Sequence, residues 1–512
     1  MRNAVNRAPR LAWTTLPPIA AERVWWTRVP KPWQGSSESR GAGVLWAEQL
    51  VPSDVMAAAA ECCRKLRFDR DADSVDGLPT FELRWVREGR YTHDGLASIF
   101  DETVRTKLLP LIKSSELLPH GTGELVLCEA LVRTYDEGQR RVHPAHYDGD
   151  ALVTAVLELD CGVDDGCATA DDGATAHDNT SRTAAPPPPP PMPSPPRGSF
   201  YVQPGAHVSS RIPLHLAPGD VVAHSFDLQH GVQVAAGATT RRTSVVFWFT
   251  PSLGACADKS RPWYEAAALA GDADAMYNVG SALDRSRDDP RRALALLRAA
   301  AESGHFVAQH AAASMLLNGR GCPNGEPDVE GAEALLEASA AQGFYKAQIS
   351  LAVARHGRGD VAGAVRWLTA AAEQRAEPDV MYRLGMALCR GDGGVARDVA
   401  GGVGWVREAA EMGHPSAQLE LGRGLATELL ARSDNHASDG DKGAATTATS
   451  LEATVEADAE VWLRRAAAQG SGAAAVALCR RYLRRGEVSR GLGLAGEWAA
   501  RLTHVSSKWR WR

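Results

Sequence analysis

The chain has 512 residues and a formal net charge of −6, with 44% hydrophobic and 23% charged residues. This length exceeds one ordinary hydrophobic core, so we expect at least two domains. The weak net charge and the lack of a basic block argue against nucleic acid as a partner. No apolar run of about eighteen residues is present that would span a membrane.

Residues 1–44 are rich in Pro and Trp and show no periodicity, so we expect a flexible N-terminal segment. It is basic, with Arg2, Arg7 and Arg10 near its start, and it lacks an apolar secretory core. The segment therefore suits either a solvated tail or an organelle transit peptide. The nine cysteines form no Cys-x-x-Cys motif, which predicts reduced thiols in an intracellular, cytoplasmic protein.

Short predicted strands and two supporting helices follow in residues 45–255. One helix is expected to start at Ser53 or Asp54 as its cap and end near Leu66, and another to run from His93 to about Ile112. The predicted strands cover residues 125–135, 151–160, 232–234 and 242–249, and the turn Pro218-Gly219-Asp220 is expected to open a further strand. Many short strands with turn punctuation predict a double-stranded β-helix, the jelly-roll or cupin-like architecture.

The sequence His146-Tyr147-Asp148, with His230 far downstream, indicates a metal site. Side chains at i and i+2 on an extended strand point to the same face, so His146 and Asp148 can reach one ion. Two imidazoles and one carboxylate occupy one face of an octahedral ferrous ion and leave three positions open. We therefore predict His146, Asp148 and His230 as ligands of non-haem iron(II), with oxygen activation as the reaction class.

Two further histidines and a second metal compete with this interpretation. His143 has Ala145 at i+2 and so lacks a carboxylate on its face. His224 leaves an even longer gap to the downstream Arg242 than His230 does. The same ligands can hold zinc, but the open positions and a nearby basic anchor favour iron.

Arg242 opens the last predicted strand, with Ser244 on the same face. A guanidinium is always charged and holds a carboxylate bidentately. Arg242 is therefore predicted to anchor an acidic co-substrate, and Ser244 to add a hydroxyl donor.

These motifs, in their order, resemble the iron(II)/2-oxoglutarate dioxygenases and especially their prolyl-4-hydroxylase-like branch. The motifs are Tyr135…Gly138-Gln139, His146-x-Asp148, Pro218-Gly219-Asp220, His230-Gly231-Val232-x-Val234, Gly237 and Arg242-x-Ser244. The resemblance implies that the two histidines and the aspartate bind Fe(II) and that Arg242 binds the far carboxylate of 2-oxoglutarate. It also implies that Tyr135 and Thr154 direct hydroxyls toward this co-substrate. O2 is then consumed, and ascorbate serves as the reductant.

The chain departs from that family pattern in three places. The usual Gly-Gly pair before a strand is reduced to Gly198-Ser199-Phe200. The gap from His230 to the arginine is long, so Arg241 competes with Arg242, although Thr243-Ser244 and the strand that follows favour Arg242. An insertion at about residues 162–198 contains the run PPPPPPMPSPP. Its composition cannot bury a core, so we expect it to be disordered or polyproline II-like.

An alanine-rich repeat fills residues 256–485. Glycines recur at 271, 304, 343, 413 and 470, and Ala376 stands at one position where the glycine is missing. These intervals predict a two-helix solenoid, in which each Gly takes the left-handed position after a helix. The Ala four residues later, at 275, 308, 347, 417 and 474, is expected to begin the next helix. Trp367, Trp405 and Trp462 are expected in its core.

The repeats resemble Sel1-like repeats, a relative of the tetratricopeptide class. The resemblance implies a scaffold that binds a protein partner, with stabilisation of the catalytic part as the alternative role. A disordered insertion is expected at about residues 433–450, and a capping helix and tail over residues 486–512.

The resemblance implies a dioxygenase that hydroxylates a C–H bond, with a prolyl side chain of a protein as the leading substrate. Small-molecule and lipid substrates stay open. The alternatives are a non-catalytic protein-binding adaptor with a degenerate barrel, and a zinc-dependent or isomerase-type cupin that ignores 2-oxoglutarate.

Overall fold

A computed structural model of the chain describes residues 14–15, 23–33, 42–72, 78–118, 122, 124–135, 139–160, 199–234, 242–257, 261–391, 394–424, 458–490 and 493. The predicted insertions at 162–198 and 433–450, together with Arg241 and most of the predicted C-terminal helix, lie outside these residues. The chain divides into two compact units. One comprises residues 1–136, 143–235 and 239–347, and the other residues 137–142, 236–238 and 348–512.

The strands of the N-terminal half form two antiparallel-paired sheets. Within the described residues they are β1 Thr14–Thr15, β2 Val24–Val29, β3 Ala42–Ala47, β4 Asp69–Ala72, β5 Pro79–Arg87, β6 Arg90–Tyr91, β7 Val126–Tyr135, β8 Val142–His146, β9 Val153–Asp160, β10 Ser199–Val202, β11 Ile212–Leu214, β12 Val221–Ser225, β13 His230–Gln233 and β14 Arg242–Thr250. The large sheet has the order β1-β2-β3-β12-β9-β14-β7-β5-β4, with β6 beside β5, and the small sheet has the order β11-β10-β13-β8. The predicted double-stranded β-helix is confirmed.

Apolar side chains from both sheets fill the space between them. Val156 and Val222 of the large sheet pack with Phe200 and Val202 of the small sheet in one cluster. This packing follows from the alternation along each strand, which sends every second side chain to the inner face. The two sheets therefore hold a set of inward-facing positions at fixed spacing, and the metal-site residues occupy some of these positions.

The N-terminal segment is more ordered than its composition predicts. β2 pairs with β3 along its whole length and extends the large sheet. Val24, Trp25 and Val29 are buried. The expectation of a flexible segment through residue 44 is therefore wrong for residues 24–29, because these apolar side chains add to the core.

Two helical regions buttress the large sheet. Helix α1 spans Ser53–Arg64, and α2 spans Asp94–Thr103 and continues through a π-helical turn, Val104–Leu108, into α3, Leu109–Ser114. The cap of α1 is Pro52, which offers no side-chain hydrogen bond, so the predicted cap at Ser53 or Asp54 is wrong. The His93 side chain caps α2 by accepting from the Leu96 N–H.

The C-terminal half is an all-α solenoid, as predicted. Its helices are α4 Leu253–Ala257, α5 Pro262–Leu269, α6 Ala273–Ser286, α7 Pro290–Glu302, α8 Phe306–Leu317, α9 Val329–Ala341, α10 Tyr345–Gly357, α11 Val361–Glu373, α12 Pro378–Arg390, α13 Val399–Glu411, α14 Pro415–Gly422 and α15 Gly472–Arg484. Residues 458–468 are also helical. Successive helices pack against each other from α5 to α9 in the first unit and from α11 to α14 in the second. None of the described helices combines the length and hydropathy that crossing a bilayer requires.

The recurring glycines end helices as predicted, with left-handed φ angles of 87°, 88°, 95°, 89° and 91° at residues 271, 304, 343, 413 and 470. The alanines four residues later are all 0% exposed, and they are the third residue of the next helix, not its first. The residue after the glycine caps that helix in four of the five repeats, for example Asp272, which accepts from the Ala275 N–H at 2.8 Å. Where the glycine is missing, Arg375 (φ 49°) takes the left-handed position. Ala376 does not.

Two further expectations need correction. Trp462 is buried at 9% exposure, whereas Trp367 and Trp405 are only half-buried. Cys128 and Cys256 form a disulfide, so the prediction of reduced thiols throughout is wrong. Cys128 is an extra residue in β7, because Trp248 pairs with Glu129 and Phe249 pairs with Leu127, so the disulfide to α4 starts from a bulge.

Candidate metal and co-substrate site

Adjacent strands of the small sheet bring the predicted ligands together. His146 is the last residue of β8 and His230 is the first residue of β13, and these strands are neighbours. Asp148 lies two residues beyond the end of β8. The pairing of β8 and β13 therefore brings His146 and His230 together, although more than eighty residues separate them in the sequence.

The three side chains converge on one point. One ligand atom from each of His146, Asp148 and His230 lies within 4.8 Å of the others. His146 Nε2 is 3.5 Å from Asp148 Oδ1, and His230 Nε2 is 3.4 Å from Asp148 Oδ2. Two imidazole nitrogens and a carboxylate grouped in this way match the donor set of a facial iron(II) site.

Backbone carbonyls fix the orientation of both imidazoles. His146 Nδ1 lies 2.9 Å from the Pro144 carbonyl oxygen, and His230 Nδ1 lies 3.3 Å from that of Leu228. A carbonyl only accepts, so a proton on each Nδ1 satisfies that carbonyl and leaves each Nε2 as the ring atom available to a metal. Carbonyl partners of this kind orient histidines that bind metals.

Thr154 holds the carboxylate of the cluster. Its hydroxyl donates to Asp148 Oδ2 at 2.6 Å. The sequence resemblance assigned this hydroxyl to the co-substrate, whereas here it fixes the orientation of a ligand. Thr154 lies on β9, so the large sheet braces a ligand that follows a strand of the small sheet.

The charges of the cluster favour binding of a cation. Burial alone would raise the pKa of Asp148, but His230 and His146 hold the pKa of this carboxyl well below its usual value. Burial, partly offset by Asp148, lowers the pKa of His230. An ionised Asp148 and a neutral His230 are the forms in which these two groups bind a metal.

The competing histidines lie beside the cluster but outside the ligand set. The rings of His143 and His146 are 4.4 Å apart, and those of His224 and His230 are 4.0 Å apart. His224 is 1% exposed, and its Nε2 has no hydrogen-bond partner among the described residues. Burial and the neighbouring His230 lower the pKa of His224 to about 3.

Arg242 lies on the same face of the large sheet as Thr154. Register pairs Thr154 with Trp248, and positions 246, 244 and 242 follow on the same side of β14. Arg242 is 1% exposed; its Nη1 lies 3.4 Å from Ser244 Oγ, and its guanidinium lies 5.9 Å from the Tyr135 ring centroid. Arg242, the predicted anchor, therefore lies beside Ser244 and Tyr135, which were predicted to assist it.

Glu158 is the site residue that sequence reasoning missed. Arg242 Nη2 donates to Glu158 Oε2 at 2.7 Å, and both side chains are at most 3% exposed. Arg242 Nε has no hydrogen-bond partner among the described residues. The signal was present, because Glu158 is the one charged residue within the apolar run ALVTAVLEL at positions 151–159.

A cavity of about 280 Å³ opens beside the metal ligands. His146 and Asp148 line it together with Arg84, Arg133 and Trp248, and the Cys128–Cys256 disulfide forms part of its wall. Arg133 and Arg84 both pair with Glu82 in the large sheet, at 2.9 Å and 3.3 Å. The cavity therefore adjoins two of the three predicted metal ligands.

The residues present fit Fe(II) and 2-oxoglutarate. The donor set is that of a ferrous site, and the tautomers of its imidazoles are already fixed. The unpartnered Nε of Arg242 is a buried donor that suits a carboxylate. The Glu158 carboxylate already neutralises much of the Arg242 charge, which limits the affinity for a second anion.

Comparison with known proteins identifies the solenoid. The Sel1 repeat family matches residues 273–305, 307–344, 346–375, 378–414 and 456–471, which confirms the predicted repeats. Sel1 repeats generally mediate protein interactions. No curated protein matches the chain.

Solved structures of low overall similarity include a protein with an SLR fold and members of the 2OG-Fe(II) oxygenase family. A protective antigen of uropathogenic Escherichia coli with an SLR fold is 26% identical over 44% of this chain and 44% of its own length, with a TM-score of 0.33. The chain thus spans less than half of that antigen. An oxidoreductase of the 2OG-Fe(II) oxygenase family from Burkholderia pseudomallei is 13% identical over 40% of this chain and 83% of its own (TM-score 0.27). A Pseudomonas putida prolyl-4-hydroxylase is 18% identical over 40% and 91% (TM-score 0.24).

Proposed function

We propose that this protein is an Fe(II)- and 2-oxoglutarate-dependent dioxygenase that hydroxylates a substrate C–H bond. The observation that carries the proposal is the convergence of His146, Asp148 and His230, with both Nδ1 atoms held by backbone carbonyls. His146, Asp148 and His230 would hold the iron. When bound, Fe(II) and 2-oxoglutarate supply the oxidising power, drawn from O2, with succinate and carbon dioxide as by-products.

The chain's own residues orient the reactants. Thr154 holds one carboxylate oxygen of Asp148 and so keeps this ligand in place. Arg242, with Tyr135 and Ser244, is proposed to receive the far carboxylate of 2-oxoglutarate on the inner face of the large sheet. Orientation of this kind supplies much of the rate enhancement in a reaction between bound partners.

A protein side chain, with prolyl as the first candidate, is the substrate that we propose. The cavity beside His146 is open to solvent and bordered by Arg84 and Trp248, so a side chain projecting from a peptide can reach the metal ligands. The Sel1 repeats in the same chain support a protein partner, because such solenoids present extended binding surfaces.

Succinate release tests this proposal. Purified protein would be incubated with Fe(II), ascorbate and 2-oxoglutarate, alone and with prolyl peptides. We expect succinate from the wild type, none from His146→Ala, and wild-type amounts from His356→Ala, which changes an exposed histidine in α10. Equal succinate from the wild type and His146→Ala would contradict the assignment.

The Arg242–Glu158 pair favours a second candidate, a protein-binding adaptor whose barrel retains metal but does not bind 2-oxoglutarate. A buried carboxylate already placed on the anchor would exclude the co-substrate if the two anions cannot share the guanidinium. Direct binding of 2-oxoglutarate distinguishes the two candidates. Absence of binding at millimolar concentrations would favour the adaptor.

A further inference from the structure

A buried polar cluster connects the first Sel1 repeat to the metal-binding motif. Its centre is Asp274 on α6, which is 0% exposed. The Asp274 carboxylate has four side-chain partners: Tyr147 Oη at 2.6 Å, Lys31 Nζ at 2.7 Å, Trp33 Nε1 at 3.1 Å and His305 Nε2 at 3.3 Å. The cluster thus joins the N-terminal segment, the barrel and two solenoid helices.

Tyr147 is the residue between the two metal ligands His146 and Asp148. It lies just beyond the end of β8, so strand pairing does not fix its position. Its ring packs against Tyr277 of α6, with centroids 5.5 Å apart, and its hydroxyl donates to Asp274. A side chain held at its tip restricts the backbone on either side, and here that backbone carries both ligands.

The Asp274 carboxylate is held in its charged form. Burial alone would raise its pKa, but Lys31 and His305 lower the pKa of Asp274 below its usual value. Lys31 is itself buried and also contacts Asp227 Oδ2 at 3.0 Å. An ionised, fully buried acceptor makes a strong hydrogen bond with the phenol, since charge-assisted bonds exceed neutral ones.

A second metal ion at these acids is the competing interpretation. Asp227, Asp272 and Asp274 lie close enough together to bind a cation. However, Lys31 Nζ contacts both Asp227 and Asp274, and so occupies the position of that cation. The cluster is therefore a set of ion pairs and hydrogen bonds completed by the chain itself.

We propose that Asp274 of the first Sel1 repeat is a positioning residue for the iron site, acting through the hydroxyl of Tyr147. The inference rests on the proposed function for its relation to catalysis, but its relation to metal binding stands separately. By this reasoning the first repeat completes the oxygenase and is not a detachable adaptor. An event on that repeat that displaces α6 changes the geometry of the motif between His146 and Asp148.

Tyr147→Phe tests the proposal, because it removes only the hydroxyl that donates to Asp274. Tyr277→Phe is the matched control, because that tyrosine belongs to the same ring cluster while its hydroxyl bonds to Ser281 and not to Asp274. The full-length proteins would be titrated with cobalt(II), following its ligand-field spectrum, with thermal midpoints recorded alongside. We expect Tyr147→Phe to weaken cobalt(II) binding about 10-fold and to alter the spectrum, as loss of outer contacts does at metal sites.

Two further measurements separate positioning from general loss of stability. Asp274→Asn should reproduce the effect. Tyr147→Phe combined with Asp274→Asn should be little worse than Asp274→Asn alone, because the Tyr147 hydroxyl acts mainly through its 2.6 Å bond to Asp274, its second contact being His305 Nε2 at 3.1 Å. Among variants that fold, kcat for 2-oxoglutarate turnover should fall more than KM changes. If Asp274→Asn does not fold, Tyr147→Phe alone decides.

The two proposals fail in different ways. Unchanged cobalt(II) affinity and spectrum in Tyr147→Phe, or an equal loss in Tyr277→Phe, would overturn the positioning role. A wild type that binds cobalt(II) but neither binds nor converts 2-oxoglutarate would overturn the proposed function. In that case the cobalt(II) titration of the two tyrosine variants still decides whether Asp274 positions the metal site.

Discussion

Replacing Glu158 by Gln should increase the affinity for 2-oxoglutarate. Glu158 and Arg242 form a buried pair with an N–O distance of 2.7 Å, so the carboxylate competes with any bound anion for the same guanidinium. Two unit charges about 4 Å apart interact by about 4 kcal/mol at an effective dielectric constant of about 20. We expect about 1–2 kcal/mol of this to appear in binding, because desolvation of the ligand offsets the rest. The Kd of 2-oxoglutarate should therefore fall about 10-fold.

The same substitution should destabilise the ligand-free protein. The glutamine still accepts a hydrogen bond, but it leaves the buried Arg242 charge without an anion, which costs up to about 3 kcal/mol. Added 2-oxoglutarate should then raise the thermal midpoint of Glu158→Gln more than that of the wild type. Calorimetric titration and differential scanning calorimetry measure the two effects.

Glu82→Gln is the matched control for this prediction. Glu82 is a second buried carboxylate of the large sheet, but it pairs with Arg133 and Arg84 instead of Arg242. It should leave the affinity for 2-oxoglutarate within about twofold. Unchanged or weaker binding by a folded Glu158→Gln protein would refute the assignment of Arg242 as the anchor.

Three further predictions concern the metal site and stability. Thr154→Val removes the donor to Asp148 Oδ2 and should weaken cobalt(II) binding about 10-fold in a spectroscopic titration; unchanged affinity would show that the hydroxyl does not orient the ligand. Replacing Cys128 and Cys256 by Ser removes a disulfide that links positions 128 residues apart, and it should lower the unfolding free energy by about 2–4 kcal/mol in a denaturant titration. Equal unfolding free energies of the double variant and the wild type, both measured under oxidising conditions, would contradict this prediction. Burial and nearby carboxylates raise the pKa of Asp272 to about 6, so the folded chain binds this proton more tightly and stability falls as pH rises from about 4 through 6. Asp272→Asn should remove that loss and exceed the stability of the wild type by about 2–3 kcal/mol near pH 7.5, with no difference near pH 4. A parallel pH profile of the two proteins would be inconsistent with the raised pKa.

The sequence predicted the features that local patterns determine. Apolar runs and turn residues predicted β7, β9, β12, β14 and part of β13, but not the other strands. The repeating glycines predicted the solenoid and its left-handed positions. The spacing within His146-x-Asp148 and its distance from His230 indicated a metal site whose ligand atoms converge in the structure.

Features that depend on tertiary contacts were missed. Glu158 is a lone charge in an apolar run, but only the register between β9 and β14 places it beside Arg242. The disulfide joins Cys128, on a bulge of β7, to Cys256, and no local sequence pattern predicted that bulge. Asp274 is one of several acids near helix starts, and its partners lie 127 and 243 residues away at Tyr147 and Lys31. Such contacts form between elements that are far apart in the sequence, so one sequence without its relatives does not reveal which residues will be partners.

Anaerobic titration of the Fe(II)-loaded protein with 2-oxoglutarate tests the central claim most directly. A keto acid that chelates ferrous iron produces a charge-transfer absorption band in the visible range. We predict that the band appears in the wild type only when both components are present, and that it is absent from Asp148→Ala. A wild type that retains one equivalent of Fe(II) yet shows neither the band nor 2-oxoglutarate binding would contradict the assignment as a 2-oxoglutarate-dependent dioxygenase.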